Sequence, residues 1–170
     1  MGSGPTLSAC VEALPQLWFF ALRLTSTSAA AESLVKDSYL TLGGKRYKPA
    51  THVSPRVAMM ATMLTLWKKS QMTAGSVRNT AAHVESDCDE SRRLLQIVDT
   101  LPDDERVAII LVEAEHLSRD DAAWALGIPP AALEQRLERA HIAVSIAFEN
   151  TARAGATRFA QLSKSERVRA

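Results

Sequence analysis

Between Leu117 and Pro130 the chain reads Leu-Ser-Arg-Asp-Asp-Ala-Ala-Trp-Ala-Leu-Gly-Ile-Pro-Pro, and no other stretch leaves its fold so few options. Ser118 is a helix-capping residue, and Asp120 and Asp121 follow it at the positive end of the helix dipole. Ala122 and Ala123 are small enough for a second helix to approach closely, and Gly127 permits the positive φ of a tight turn. Pro130 starts another helix, with Leu133, Leu137, Ala140 and Val144 as its apolar stripe. The pattern is that of a helix-turn-helix in which the helix after Pro130 is offered to a DNA major groove. The bland alternative is an ordinary helical hairpin.

Helical periodicity continues on both sides of this segment. Leu14, Leu17, Trp18, Ala21 and Leu22 form one stripe on a first helix. A polar break, Thr25 to Ser28, precedes a second helix with Leu34, Val35, Tyr39 and Leu42 inward and Gly43-Gly44 at its end. Lys45 to Pro55 is a basic loop, and a third helix runs from about Arg56 to Lys69. That helix is apolar nearly all round, which requires either burial on every side or a partner. Gln71 to Asp89 is rich in Ser, Thr, Ala, Asn and Asp and lacks an apolar period. A further helix over Ser91 to Thr100 turns Leu94, Leu95 and Val98 inward. Another begins at Pro102 and is lined by Val107, Ile110, Leu111 and Ala114. Residues from Asn150 onward read as a frayed helical tail. The expected organisation is all-α: two small helical domains, 10–70 and 91–148, a flexible linker at 71–90, and a basic tail at 149–170.

The 170 residues include only seven Gly and seven Pro, with 46% hydrophobic and 23% charged residues, the composition of a folded helical protein. Net charge is +1 but unevenly spread. Residues 1–70 carry eight basic against three acidic side chains, 102–149 four against ten, and 150–170 five against one. Cys10 and Cys88 sit in no Cys-x-x-Cys pair and near no His at ligand spacing, so neither a disulfide framework nor a metal site is expected. The start of the sequence lacks a signal-peptide pattern, and the longest apolar stretch, Val57 to Trp67, is too short to span a bilayer. A cytoplasmic protein is expected. No Gly-rich phosphate loop, nucleophile elbow or gathered acid–base set appears, so no enzyme activity and no cofactor are expected.

Three segments together carry a resemblance. Leu101 to Arg106, Leu117 to Gly127 and Arg136 to Ala140 resemble region four of extracytoplasmic-function sigma factors. Leu17 to Leu24 followed by Ala31 to Tyr39 resembles their region two, and Tyr47 to His52 the loop before the helix that reads the −10 promoter element. The resemblance covers about residues 10–148, in the family's order. It implies a sigma factor that binds core RNA polymerase and directs promoter-specific initiation, with an anti-sigma factor as regulator. It implies polymerase contacts from Leu34, Val35, Asp37 and Ser38. It implies DNA contacts from Lys48, His52 and Arg56 in the first unit, and from Ala132, Gln135, Arg136 and Arg139 in the second.

This sequence departs from the family at several of those places. Arg56, Thr62 and Met63 stand where a Trp and an Arg-Asn pair are usual in the promoter-melting helix. Glu134-Gln135-Arg136 replaces a Lys-Ser-Arg pattern, and His141 stands where another Arg is common. Single-stranded DNA is held by stacking aromatics and cations, and duplex DNA by phosphate neutralisation. A second reading is therefore a sigma mimic that binds an anti-sigma factor without recognising DNA. A third is a plain helix-turn-helix repressor using residues 91–148.

Overall fold

The computed structural model describes residues 14–25, 27–43, 53–74 and 89–168, and every regular element among them is helical. The N-terminal unit has α1 (Leu14–Leu24), α2 (Ser28–Gly43) and α3 (Pro55–Ala74). The C-terminal unit has α4 (Asp89–Thr100), α5 (Asp103–Ile109), a π-helical turn (Ile110–Ala114), α6 (Arg119–Leu126) and α7 (Pro130–Val168). This is the all-α architecture that the sequence pattern predicts.

Local chemistry sets the helix starts. The Thr27 hydroxyl accepts from the Ala30 N–H at 3.2 Å, capping α2. Ser54 Oγ accepts from the Val57 N–H at 3.3 Å ahead of Pro55, which occupies the first turn of α3, where a missing N–H costs nothing. Leu17, Phe20, Ala21 and Leu24 of α1 are buried, so the stripe is rotated toward Phe20 and Leu24, while Trp18 and Leu22 pack half-buried at its edge.

α3 is the centre of the molecule. Val57, Ala58, Met59, Met60, Met63, Leu64 and Trp67 are all buried, and the helix packs on α1 and α2 on one side and on α6 on the other. The all-round apolar helix thus finds its cover within the same chain. One continuous core runs from Leu17, Phe20 and Leu34 through the α3 methionines to Val107, Leu111, Ala122, Ala123, Leu133 and Leu137. A smaller cluster of Leu101, Ile109 and Ala140, flanked by Val98, Ala143 and Val144, joins α4 to α7.

Two sequence expectations are corrected. Leu94 and Leu95 are exposed; Ile97 and Leu101 are the buried positions of that segment, because α4 meets α7 only near its C-terminal end. Ala114 is exposed as well, since the π-helical turn adds a residue and rotates the following face. Beyond Asn150 the chain continues as helix to Val168, so α7 spans 39 residues, about 58 Å at 1.5 Å per residue. Of the 71–90 linker segment, 71–74 extend α3 and 89–90 open α4, and 75–88 lie outside the described residues.

Candidate nucleic-acid interface

The turn between α6 and α7 is built as its sequence demands. The Ser118 hydroxyl accepts from the Asp121 N–H at 3.1 Å and donates to Asp121 Oδ2 at 2.8 Å, closing the start of α6. At the other end Gly127 adopts φ 67°, ψ 34°. Its N–H donates to the Trp124 carbonyl at 3.0 Å, and the Ile128 N–H to the Ala123 carbonyl at 3.1 Å. This pair of bonds is a Schellman motif. A Cβ at Gly127 would meet nothing within 4 Å, so the requirement is conformational rather than steric. Ala122 and Ala123 are buried between helices, and Leu133, Leu137 and Ala140 hold α7 against the core.

The outward face of α7 carries the candidate DNA residues, and acids from neighbouring helices meet them. Arg136 Nη2 lies 3.1 Å from Asp104 Oδ2, and Arg139 Nε donates to Glu105 Oε1 at 2.7 Å. Gln135 is exposed and Ala132 half-buried. Arg119 of α6 pairs with Glu134, whose hydrogen bond and charge hold that guanidinium above its ordinary pKa. Asp104 and Glu105 come from the first turn of α5, so the acidic N-terminus expected from the sequence faces the helix offered to DNA.

The N-terminal candidates separate. Leu34 is buried, and Ser38 is fully buried with its hydroxyl donating to the Leu34 carbonyl at 2.6 Å. Val35 lines an open groove of about 490 Å³ with Leu14, Trp18, Tyr39 and Leu40. Asp37 is exposed. Arg56 is half-buried and reaches toward the C-terminal unit: its Nη2 donates to the Glu115 carbonyl at 2.8 Å and to Glu115 Oε2 at 3.0 Å. Lys48 and His52 lie outside the described residues.

Glu115, Arg23 and Arg106 are the residues that sequence reading overlooks. Glu115 is 4% exposed and is also paired with Arg23. Arg106 Nη1 donates to the Arg23 carbonyl at 3.0 Å, and its guanidinium lies 5.8 Å from the centroid of the Trp67 ring. The one available signal is an acid set among apolar residues, Ile109-Ile110-Leu111-Val112-Glu113-Ala114-Glu115-His116-Leu117. Among the described residues there is no cluster of three or more His, Cys, Asp or Glu placed to hold a metal, and no helix is long and apolar enough to cross a membrane.

Residues 91–141 match the family described as sigma-70, region 4. No curated protein matches the chain by sequence. Among solved structures, the chain is similar to the sigma factor RpoE of Bartonella quintana, determined in complex with the anti-sigma factor NepR. The TM-score is 0.71 at 22% identity, over 82% of this chain and 93% of that one. It is also similar to the anti-anti-sigma factor PhyR of the same organism, determined in complex with NepR, with TM-score 0.56 at 17% identity, over 79% of this chain and 48% of that one. Residues 91–141 are thus similar to sigma-70 region 4, and the fold of the chain is similar to that of the sigma factor RpoE.

Proposed function

We propose that the chain is a sigma factor of the extracytoplasmic-function type, acting in the cytoplasm without enzymatic activity of its own. In this reading residues 10–70 form the region-two-like domain, 91–148 the region-four-like domain, 71–90 the connection and 149–170 a basic tail. The N-terminal unit engages core RNA polymerase through the outer face of α2, with Val35 and Asp37 at the contact and Leu34 and Ser38 holding the helix beneath it. Arg56, Lys48 and His52 serve the −10 element, and Ala132, Gln135, Arg136 and Arg139 of α7 serve the −35 element. An anti-sigma factor is the regulator, as NepR is the partner of RpoE in its complex. The observation that carries the reading is a helix-turn-helix matching region 4, borne on a chain that aligns over 93% of a sigma factor. Purified chain is expected to co-elute with core polymerase and to support run-off transcription from a cognate promoter; failure to co-elute ends the proposal.

One observation favours a second reading. Arg119, Arg136 and Arg139 each face a carboxylate of this chain, and Arg56 is held by Glu115. A sigma mimic that occupies an anti-sigma factor and leaves DNA alone needs no free cations there, and the likeness to PhyR fits it. Promoter-dependent run-off product would eliminate the mimic.

A further inference from the structure

Among the described residues, Glu115 is the one acidic side chain that the fold buries. Its two carboxylate oxygens are taken by two guanidiniums of the other unit, Oε1 by Arg23 from α1 and Oε2 by Arg56 from α3. Arg106 crosses the same seam in the opposite direction, from α5 to the Arg23 carbonyl and the face of Trp67. Arg23, Arg56, Arg106 and Glu115 therefore converge on one spot, beside the α3–α6 packing that completes the core.

The backbone that delivers Glu115 is unusual. It follows the π-helical turn, with the Glu115 N–H donating to the Ile110 carbonyl at 2.9 Å and the Leu117 N–H to the Leu111 carbonyl at 3.0 Å. His116, the next residue, has φ 54°, a left-handed conformation uncommon outside glycine and adopted most readily by Asn, Asp and His. Such departures persist where surrounding contacts enforce them, and they concentrate at switch segments.

A buried carboxylate is stable in two situations only, paired in the closed seam or hydrated after the seam opens. A half-open seam gives it neither, so closure behaves as two discrete states rather than a gradual loosening. We infer that Glu115, gripped by Arg23 and Arg56, is an internal latch that holds the region-four unit over α3, and that the latched chain is self-inhibited. The closed form ties Arg56 to Glu115, so that a nucleic acid must compete for it, and it packs α6 over one side of α3. The inhibitory half of this inference rests on the proposed sigma function, which places Arg56 at promoter DNA; the latch itself does not. A ligand that opens the seam must offer an acidic group to Arg56, as a phosphate backbone does, together with apolar cover for α3.

The test uses the full chain and three variants: E115Q, the double R23E/R56E, and the triple R23E/R56E/E115R, which reverses every charge of the latch. Far-UV circular dichroism certifies that helicity is kept. Small-angle scattering reads the radius of gyration, and hydrogen exchange reads α3 and α6. E115Q and the double variant are expected to expand at unchanged helicity, with exchange in α3 and α6 faster by roughly tenfold. The triple variant is expected to return toward the parent. E115Q is further expected to bind a short single-stranded oligonucleotide more tightly than the parent, by the inverse of the open fraction of the parent. An E115Q chain as small and as protected as the parent overturns the latch. So does a loss of helicity in E115Q and the double variant that the triple does not repair. Expansion without tighter oligonucleotide binding overturns the inhibition. If E115Q expands while neither chain co-elutes with core polymerase, the sigma reading fails and the latch stands; co-elution with an unchanged radius gives the reverse.

Discussion

Gly127 and Ser118 each perform one local task, which makes the cost of replacing them calculable. Gly127→Ala keeps open space around the new methyl but forces a side chain into φ 67°, and is expected to destabilise the chain by roughly 1–2 kcal/mol. Ser118→Ala removes the acceptor for the Asp121 N–H and is expected to cost about 1 kcal/mol. Denaturant midpoints at constant m-value measure both. These residues were legible in the sequence because a cap and a left-handed turn are written in the residue itself and its nearest neighbours. Glu115 was not. Its partners Arg56 and Arg23 are 59 and 92 positions away, and no local rule links an acid in an apolar run to cations at that separation.

At the scale of elements, α5 and α7 form a charge pair as well as a packing pair. The first turn of α5 sets Asp104 against Arg136 and Glu105 against Arg139, so duplex DNA approaching α7 must replace carboxylates by phosphates. Asp104→Asn and Glu105→Gln are expected to raise duplex affinity, whereas Arg136→Ala and Arg139→Ala are expected to lower it and to reduce the salt slope by about one each. Anisotropy titrations across a salt series separate these outcomes. The carboxylates of the first turn of α5 are plain in the sequence, but their pairing with α7 is not, because it depends on how two helices cross. Periodicity also has a resolution limit: along α4 it offers Leu94, Leu95 and Val98, whereas contact with α7 buries Ile97 and, just past the helix end, Leu101. The π-helical turn left no trace in sequence at all. Its segment contains neither Gly nor Pro, and its effect is seen in Ala114 facing solvent and Glu115 facing inward.

The whole molecule is two units by chain order and one body by packing, since the core passes without a break from α1 through α3 to α6 and α7. Unfolding is therefore expected to be a single transition, with far-UV circular dichroism and tryptophan fluorescence superposing through the denaturant curve. Trp18 and Trp67 report on the first unit and Trp124 on the second. Removing volume from the shared centre, as in Met63→Ala, is expected to lower the common midpoint by about 2–5 kcal/mol rather than to split the curve. The all-α class and both units were legible because apolar spacing fixes each helix. Their mutual embrace was hinted at only by α3, whose methionines had no free face to spare. The π-helical turn has an arithmetic consequence for any future alignment or redesign. Deleting a single codon between Ile110 and Ala114 would remove the extra residue together with the wide turn that absorbs it, and the residue now at 115 would keep nearly its present facing. One three-nucleotide indel would thus straighten the helix while leaving the acid aimed at both arginines.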